Sequence, residues 1–314
     1  MKDFAPQPEQ LEFARALMTL VESRNESGAP DASADLWTDL AEIGLLGLCG
    51  EEGGGGLRDF VVAMEALGRA VCPGPILATT AAALLLDRSQ LEELNAGQLR
   101  VTFTDGVHIP WADNSNVLIE VQSGQAWLIH DPGAVTAVVT LSAESWAVGS
   151  PARGRQLDDP ARALILFDLG VSAYLVGCAR RLIDQGAEHA RLRTQFGHFI
   201  GDFQAVAHSL ASALAQINAT GYLVNLAAFE MDSGLCDPSR ARLVRMASTK
   251  AALVAATTVH QVMGGLGFAI ETGVGMVSTR IRQWSLLPPA PNVFTFGEVL
   301  DLPDTTGETR GAVV

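Results

Sequence analysis

Apolar positions in the first seventy residues recur every three to four places. Leu11, Ala14, Leu17, Met18 and Val21 fall on one side of a helix, because about 3.6 residues per turn stacks positions i, i+3, i+4 and i+7. Pro8 stands where a first-turn proline is tolerated. A second helix carries Leu36, Trp37, Leu40 and Ile43, with Asp31-Ala32-Ser33 to cap it and Gly44 and Gly47 to end it. Glu51-Glu52 and a glycine run, Gly53 to Gly56, lead to a third helix over Asp59 to Ala70, which turns Val62, Met64, Leu67 and Ala70 inward.

Between Arg100 and Pro151 the period changes. Val101-Thr102-Phe103, Val117-Leu118-Ile119, Ala126-Trp127-Leu128-Ile129 and Val135 to Val139 are short runs of β-formers. Gly106, Asp113-Asn114, Ser123-Gly124 and Asp131-Pro132-Gly133 punctuate them as turns. Five or six strands are predicted. From Asp158 to Trp284 the helical period returns. One stripe is Leu175, Cys178, Ala179, Leu182, Ile183 and Ala190, with Arg180, Arg181, Asp184, Glu188 and Arg191 opposite. A second is Phe203, Ala207, Leu210, Ala211, Leu214 and Ile217. Asp237-Pro238 opens a third, with Ala241, Val244, Ala247, Ala251, Val254 and Ala255. Stripes of this length predict an antiparallel bundle. The tail after Pro288, rich in Pro, Gly, Asp and Thr, is expected to run over the surface. The chain therefore divides into an N-terminal helical unit (1–98), a small β unit (99–158) and a C-terminal helical bundle with an irregular tail (159–314), a mainly α fold.

Composition narrows the function classes. With 314 residues, 48% hydrophobic and 18% charged, the chain can bury a large core. A formal net charge of −14 argues against a nucleic-acid partner, since phosphate binding needs a basic surface. Met1-Lys2-Asp3-Phe4 is no signal start, and the oiliest run noted, Ile76 to Leu86, is too short to span a bilayer. No membrane role is expected, and the cytoplasm is the default location. Cys49, Cys72, Cys178 and Cys236 form no paired motif, so lone thiols are expected. The six histidines make no metal-ligand spacing. Gly53 to Gly56 lacks the Gly-Lys-Ser/Thr of a P-loop, Gly265-Leu266-Gly267 lacks the third glycine of a dinucleotide turn, and no Gly-x-Ser-x-Gly occurs.

Two segments carry candidate chemistry. Arg193-Thr194-Gln195-Phe196-Gly197, then Gly201-Asp202-Phe203-Gln204, puts an arginine at a helix end, a glycine turn and a new helix start in sequence. A guanidinium beside helix-start amides makes an anion seat. The plain alternative is a loop arginine paired with a carboxylate beside a buried Phe196. The other segment is Gln261-Val262-Met263-Gly264-Gly265-Leu266-Gly267-Phe268. Its glycines cap a helix or let a ligand approach closely.

Taken together, R-x-Q-F-G, F-Q, a helix, and Q-x-x-G-G-x-G-F resemble the C-terminal domain of the acyl-CoA dehydrogenase family. The N-terminal helices are similar too, through Trp37-x-x-Leu40, Gly44-Leu45-Leu46-Gly47-Leu48, Glu51-Glu52-Gly53-Gly54-x-Gly56 and Glu65-Ala66-Leu67-Gly68-Arg69-Ala70. The resemblance covers both helical regions. It implies a helical N-terminal domain, a β middle domain and a C-terminal four-helix bundle, with FAD bound between subunits. On that implication Arg193, Gln195, Phe196, Phe203 and Gln204 contact the flavin nucleotide. Gln261, Gly264 and Gly265 hold the nucleotide side of a neighbouring subunit's FAD. The implied chemistry is α,β-desaturation of an acyl-CoA, in which a glutamate removes the α-proton.

Two departures from the family pattern stand out. Nothing between Arg100 and Asp158 matches the family's flavin-ring motif ending in Gly-Ser-Asp, and this region is short. Of the two places that hold the family's glutamate, one is Phe167 here, followed by Asp168, and the other falls on Leu286-Leu287-Pro288-Pro289. Asp168 and Glu298 are the nearest carboxylates. In both gaps the chain resembles the non-catalytic, FAD-contacting subunit of actinobacterial α2β2 acyl-CoA dehydrogenases. The implied partners are a longer subunit carrying the glutamate, an acyl-CoA substrate, with a bulky polycyclic thioester expected by analogy, and an electron-transfer flavoprotein or similar acceptor. Two other readings stand beside it: a flavin-free structural or binding subunit, and a self-sufficient homomeric dehydrogenase that uses Asp168 or Glu298.

Overall fold

The computed structural model describes residues 5–24, 33–50, 53–142, 144–234 and 238–289. Its helices and strands run α1 (Pro8–Arg24), α2 (Ala34–Glu42), α3 (Leu57–Arg69), α4 (Ile76–Ala82) and α5 (Arg88–Asn95), then β1 (Val101–Thr104), β2 (His108–Pro110), β3 (Val117–Gln122), β4 (Gln125–Ile129), β5 (Val135–Val138), β6 (Trp146–Gly149) and β7 (Arg155–Leu157). The bundle follows: α6 (Ala161–Leu192), a short hairpin β8 (Thr194–Gln195) and β9 (His198–Phe199), α7 (Gln204–Asp232), α8 (Pro238–Met263) and α9 (Val274–Ser285). The mainly α architecture expected from the pattern is the observed one, in the helical, β and bundle order that the family resemblance also implies.

The four apolar runs of the middle region are β1, β3, β4 and β5. β2, β6 and β7 were harder to read, because strands of three or four residues hold too little alternation to register. One sheet has the order β1-β3-β4-β7, with β1 and β3 parallel, and the other is β2-β6-β5. Ile109, Leu118 and Ile129 join the two sheets in a small core of their own.

α6 is the axis of the molecule. From Ala163 to Ala179 nearly every residue is buried, which a helix tolerates only when it is apolar all round. It is also the stretch of greatest consequence for the membrane question. α6 and Pro238–Phe268 are each long and apolar enough to cross a bilayer, unlike the shorter Ile76–Leu86 run. In α6 that apolar surface is spent inside the protein, with 83% of its most apolar window buried.

α3 reaches α6 backbone to backbone through two glycines. A Cβ on Gly68 would sit 2.1 Å from the Tyr174 carbonyl oxygen, and one on Gly177 would sit 2.0 Å from that of Glu65. No side chain fits at either position. At the other end of α3, the Asp232 carboxylate, from the last residue of α7, accepts from the amides of Leu57 (3.0 Å) and Arg58 (3.4 Å). A bundle residue thus caps an N-terminal helix and occupies the positive end of its dipole.

The second stripe read from the sequence is corrected by the structure. α7 buries Leu210, Ala213, Ile217, Thr220, Val224, Ala227 and Ala228, whereas Phe203, Ala207, Ala211 and Leu214 are exposed. α7 is apolar on more than one face, so periodicity alone could not say which face meets α6. The proposed cap residue Asp237 lies outside the described residues, as does Cys236. Burial pushes the thiols of Cys49, Cys72 and Cys178 up to about 12, which leaves them unreactive.

One buried polar knot joins all three regions. Glu144, between β5 and β6, is 1% exposed, and Arg280 of α9 is 2% exposed. Their ion pair is 3.2 Å. Trp111 Nε1 (3.1 Å), Trp284 Nε1 (3.0 Å) and the Gly74 amide (3.4 Å) also donate to the Glu144 carboxylate. Tyr174 of α6 stacks on Trp284 at 3.5 Å and donates to the Cys72 carbonyl at 2.8 Å. Burial raises the Glu144 carboxyl above the usual carboxylate range, and the Arg280 guanidinium opposes that shift.

Removing one partner of such a pair strands a buried charge, which costs about 3–5 kcal/mol. Glu144→Ala and Arg280→Ala are each expected to lose that much in urea unfolding at fixed protein concentration. Glu144→Gln/Arg280→Met is expected to lose less than the sum of Glu144→Gln and Arg280→Met measured singly. Strict additivity would mean that the two side chains do not depend on each other.

Candidate functional site

α6 ends at Leu192 because its C-cap, Arg193, leaves the helix in extended conformation (φ −79°, ψ 123°). The chain turns back through β8 and β9, with Phe196 (φ +53°) and Gly197 (φ +80°) as the two central turn residues. A two-residue hairpin loop of this hand needs both φ values positive. Glycine adopts that freely, while a phenylalanine does so only under constraint. Phe196 is left 90% exposed. The Ile200 amide closes the loop onto the Arg193 carbonyl at 2.8 Å. After one 3-10 turn, Phe203 is the N-cap of α7 and Gln204 its first residue. Phe203 has no side-chain oxygen to cap with, so it leaves the first amides of α7 unclaimed by a cap.

The plain alternative for this segment needed a carboxylate partner for Arg193 and a buried Phe196. Among the described residues no carboxylate pairs with Arg193. The Phe196 ring stands out from the surface, edge-on to Phe203 at 6.3 Å. Gln195 and Gln204 are exposed beside them.

α8 ends at Met263, and Gly264 (φ +57°) opens a 3-10 turn that runs to Phe268. The positive φ accounts for glycine at 264 as a helix-end residue. Nothing comparable accounts for Gly265. Its φ is not positive, and a Cβ there would meet no atom within 4 Å. Gln261 is exposed one turn earlier. Both motifs crown the same end of the bundle. A Cβ on Gly186 of α6 would lie 3.0 Å from Val259 of α8 and 3.2 Å from Leu210 of α7, which sets the end of α6, the start of α7 and the end of α8 side by side. A cleft of about 990 Å³ opens beyond the glycine turn, lined by Phe268, Ile270, Arg181, Met276 and Leu141 among others.

The two places expected for a catalytic carboxylate also meet. Phe167 is buried, with its ring 4.8 Å from that of Phe103. Asp168 is buried beside it and holds Arg245 Nη1 at 2.8 Å. Arg245, on α8, is 0% exposed and donates also to the carbonyls of Leu287 and Pro289. Burial raises the Asp168 carboxyl above the usual range, with the Arg245 guanidinium opposing it. A carboxylate clamped in this way ties α6, α8 and the 286–289 segment together. A base needs a lone pair within reach of the substrate proton, and the Asp168 carboxylate is aimed at Arg245. Glu298 lies outside the described residues.

Arg245 is a residue that the sequence reading passed over. The signal was present, since Ala241, Arg245, Ser248 and Ala252 are spaced along one buried helix face, and a charge on such a face requires a partner. Among the described residues no group of three His, Cys, Asp or Glu side chains could hold a metal ion.

Comparison with known proteins gives the same outline. Residues 168–286 match the family model for the acyl-CoA dehydrogenase C-terminal domain. Acyl-CoA dehydrogenase IpdE2 of Mycobacterium tuberculosis is 29% identical over 254 residues, which is 76% of this chain and 76% of that one. In the crystal structure of the ChsE4-ChsE5 complex from Mycobacterium tuberculosis, one chain superposes with a TM-score of 0.77 at 20% identity, over 90% of this chain and 94% of that one. A chain of the Tcur3481-Tcur3483 steroid ACAD (G363A variant) gives 0.75 at 22% identity, over 88% and 92%. Fold neighbours in this group bind FAD. The bundle is thus similar to the acyl-CoA dehydrogenase C-terminal domain, and the chain shares the fold of solved acyl-CoA dehydrogenases.

Proposed function

We propose that this chain is the FAD-contacting, base-free subunit of a heteromeric acyl-CoA dehydrogenase. The observation that carries the reading is a contrast within one chain. The bundle end with Arg193, Phe196, Gln204 and Gly265 is presented to the outside without partners that would use it up. The place of the base is closed by Phe167, Arg245 and Leu287.

The presented groups fit a dinucleotide. Arg193 offers a planar fork to a pyrophosphate, next to the uncapped amide end of α7. Phe196 and Phe203 offer aromatic faces and edges, and Gln195, Gln204 and Gln261 offer amides. The bare backbone at Gly264 and Gly265 admits close approach of the neighbouring subunit's nucleotide. FAD, when bound, supplies the hydride acceptor for α,β-desaturation. A longer partner subunit supplies the glutamate and the flavin-ring pocket. Two of the fold relatives are complexes of two differently named chains, and one of those is described as a steroid ACAD. They support an α2β2 assembly and a bulky, steroid-like acyl-CoA as substrate, with an electron-transfer flavoprotein as acceptor.

The outer faces of α7 and α8 are suited to the partner. Leu214, Tyr222, Leu223 and Met246 are exposed there, and Met246, Leu253 and Val254 line a shallow groove of about 560 Å³. An obligate interface of more than ~2,000 Å² is expected, so the pure chain should not sediment as a stable monomer at low micromolar concentration.

Arg193→Ala is expected to weaken FAD binding by about 1.5–3 kcal/mol through loss of a charge-assisted contact. Arg193→Lys should restore only part of it. The measurement is flavin content of the purified complex, which should stay assembled. Full flavin in Arg193→Ala would favour a flavin-free binding role for this end of the bundle.

The lone chain, given FAD and several acyl-CoA esters with a reducible dye, should show no dehydrogenase turnover. Co-purified with its partner it should carry one FAD per heterodimer. Glu298→Gln, and Asp168→Asn compared per folded and assembled complex because it strands the buried Arg245 guanidinium, should leave turnover within a few-fold, whereas loss of a general base costs about 10²–10⁴-fold. A thousand-fold fall in either variant would move the chain to the self-sufficient class.

A further inference from the structure

Beneath the glycine turn lies a histidine that the family motif does not include. His260 Nε2 is 2.7 Å from Ser278 Oγ on α9. The Ser278 hydroxyl also lies 2.8 Å from the Val274 carbonyl oxygen, which can only accept. A hydroxyl has one proton to give; we assign it to that carbonyl, which makes Nε2 the donor to Ser278 and leaves the lone pair on Nδ1. Nδ1 is buried and has no hydrogen-bond partner among the described residues. It sits under the turn itself, 3.0 Å from where a Cβ on Gly267 would be. The other flank of the imidazole packs on Phe268, with centroids 4.7 Å apart. Burial, followed by the Arg282 guanidinium, holds the ring below its ordinary pKa, in keeping with a neutral imidazole.

We infer that His260 is a positioning residue for the nucleotide-binding turn: it pins the Gly264–Phe268 backbone to α9 through Ser278 and Phe268, and so sets the approach that Gly265 offers to FAD. The inference rests on the flavin reading above. Among the described residues, Thr272 Oγ1 bonds the Leu266 carbonyl at 3.3 Å and the Ala269 carbonyl at 2.9 Å within the same loop, and Gln185 of α6 donates to the Thr272 carbonyl at 3.2 Å at its far end, while His260 lies beneath the glycines themselves and reaches across to α9. A space-filling role alone would be met by any ring of similar size. A positioning role needs the Nε2 proton as well.

The experiment uses the complex with its partner, stripped of flavin and titrated with FAD by flavin fluorescence. His260→Phe keeps a ring against Phe268 and drops the hydrogen bond, and Ser278→Ala removes only its acceptor. Each is expected to weaken FAD binding about five- to tenfold, the effect of one lost hydrogen bond. His260→Gln, which still carries an N–H donor, should recover most of the affinity. In ¹⁵N-histidine NMR, the His260 resonances should report a neutral ring with the proton on Nε2. Wild-type FAD affinity in both His260→Phe and Ser278→Ala, or a proton on Nδ1, would overturn the assignment. Arg193→Ala runs in parallel to separate the two claims. If Arg193→Ala loses FAD and the His260 and Ser278 variants do not, the positioning role fails alone. If all three bind FAD normally, the flavin reading fails and the inference with it.

Discussion

Everything in this molecule is arranged around a carboxylate that has no access to water. Glu144 sits where the middle region, the α3–α4 turn and the last bundle helix converge, and each contributes a donor to it. An unpaired carboxylate in that position would be intolerable, so the three regions can meet only in the one register that brings Arg280, Trp111, Trp284 and Gly74 to its oxygens. Trp111 shows the tightness of the fit. It is held at φ +51°, a conformation unfavourable for a bulky residue, with its amide on the Ser145 carbonyl and its indole on Glu144. Apolar burial along α6 supplies the driving force, but it has little directional content. The buried pair supplies the direction.

The second buried pair shapes function by the same physics. Arg245 cannot be left unpaired at zero exposure, so Asp168 and the carbonyls of Leu287 and Pro289 are drawn onto it. That closes the region where the resemblance implies a catalytic carboxylate. A residue cannot both neutralise a buried guanidinium and stand ready to remove a proton. Sealing this end of the bundle fixes α6, α8 and the 286–289 segment in one register, in line with the base-free role proposed above, while the opposite ends of α6 and α8 carry their motifs outward.

The sequence displayed those features that follow from periodicity. α1 and the later part of α6 have one apolar face each, α3 is buried nearly all round, and the reading of Leu17, Val21, Met64, Leu67, Leu182 and Ile183 as inward matches their burial. α7 was misread because it is apolar on two faces and only one can meet α6. The buried charges were illegible for a different reason. Glu144 belongs to a loop and Arg280 to a short helix, and nothing local indicates that residues 136 positions apart share a hydrogen bond. α4 and α5 were passed over as an oily run and a polar stretch, although Asp87 and Gln90 form a capping box that marks the start of α5. In the candidate site the residue types and their order were legible. The exposure of Phe196, the freedom of Arg193 from a carboxylate and the emptiness around Gly265 are three-dimensional facts.

Those last three facts have one explanation more economical than three. A phenylalanine held at φ +53° and 90% exposed gains little from its own chain beyond an edge contact with Phe203, and the strained turn costs on the order of 1–3 kcal/mol. A residue of ordinary φ with open space around it has no intrachain reason to be glycine, since alanine would hold the unfolded chain down and favour the helix-like turn. Both are unfavourable choices for an isolated subunit. Contact from outside the chain against the Phe196 ring and the Gly265 backbone would offset both costs. The two lie at the end of the bundle where α7 begins. The dinucleotide proposed above is an occupant that would use an aromatic edge, a cation and bare backbone together.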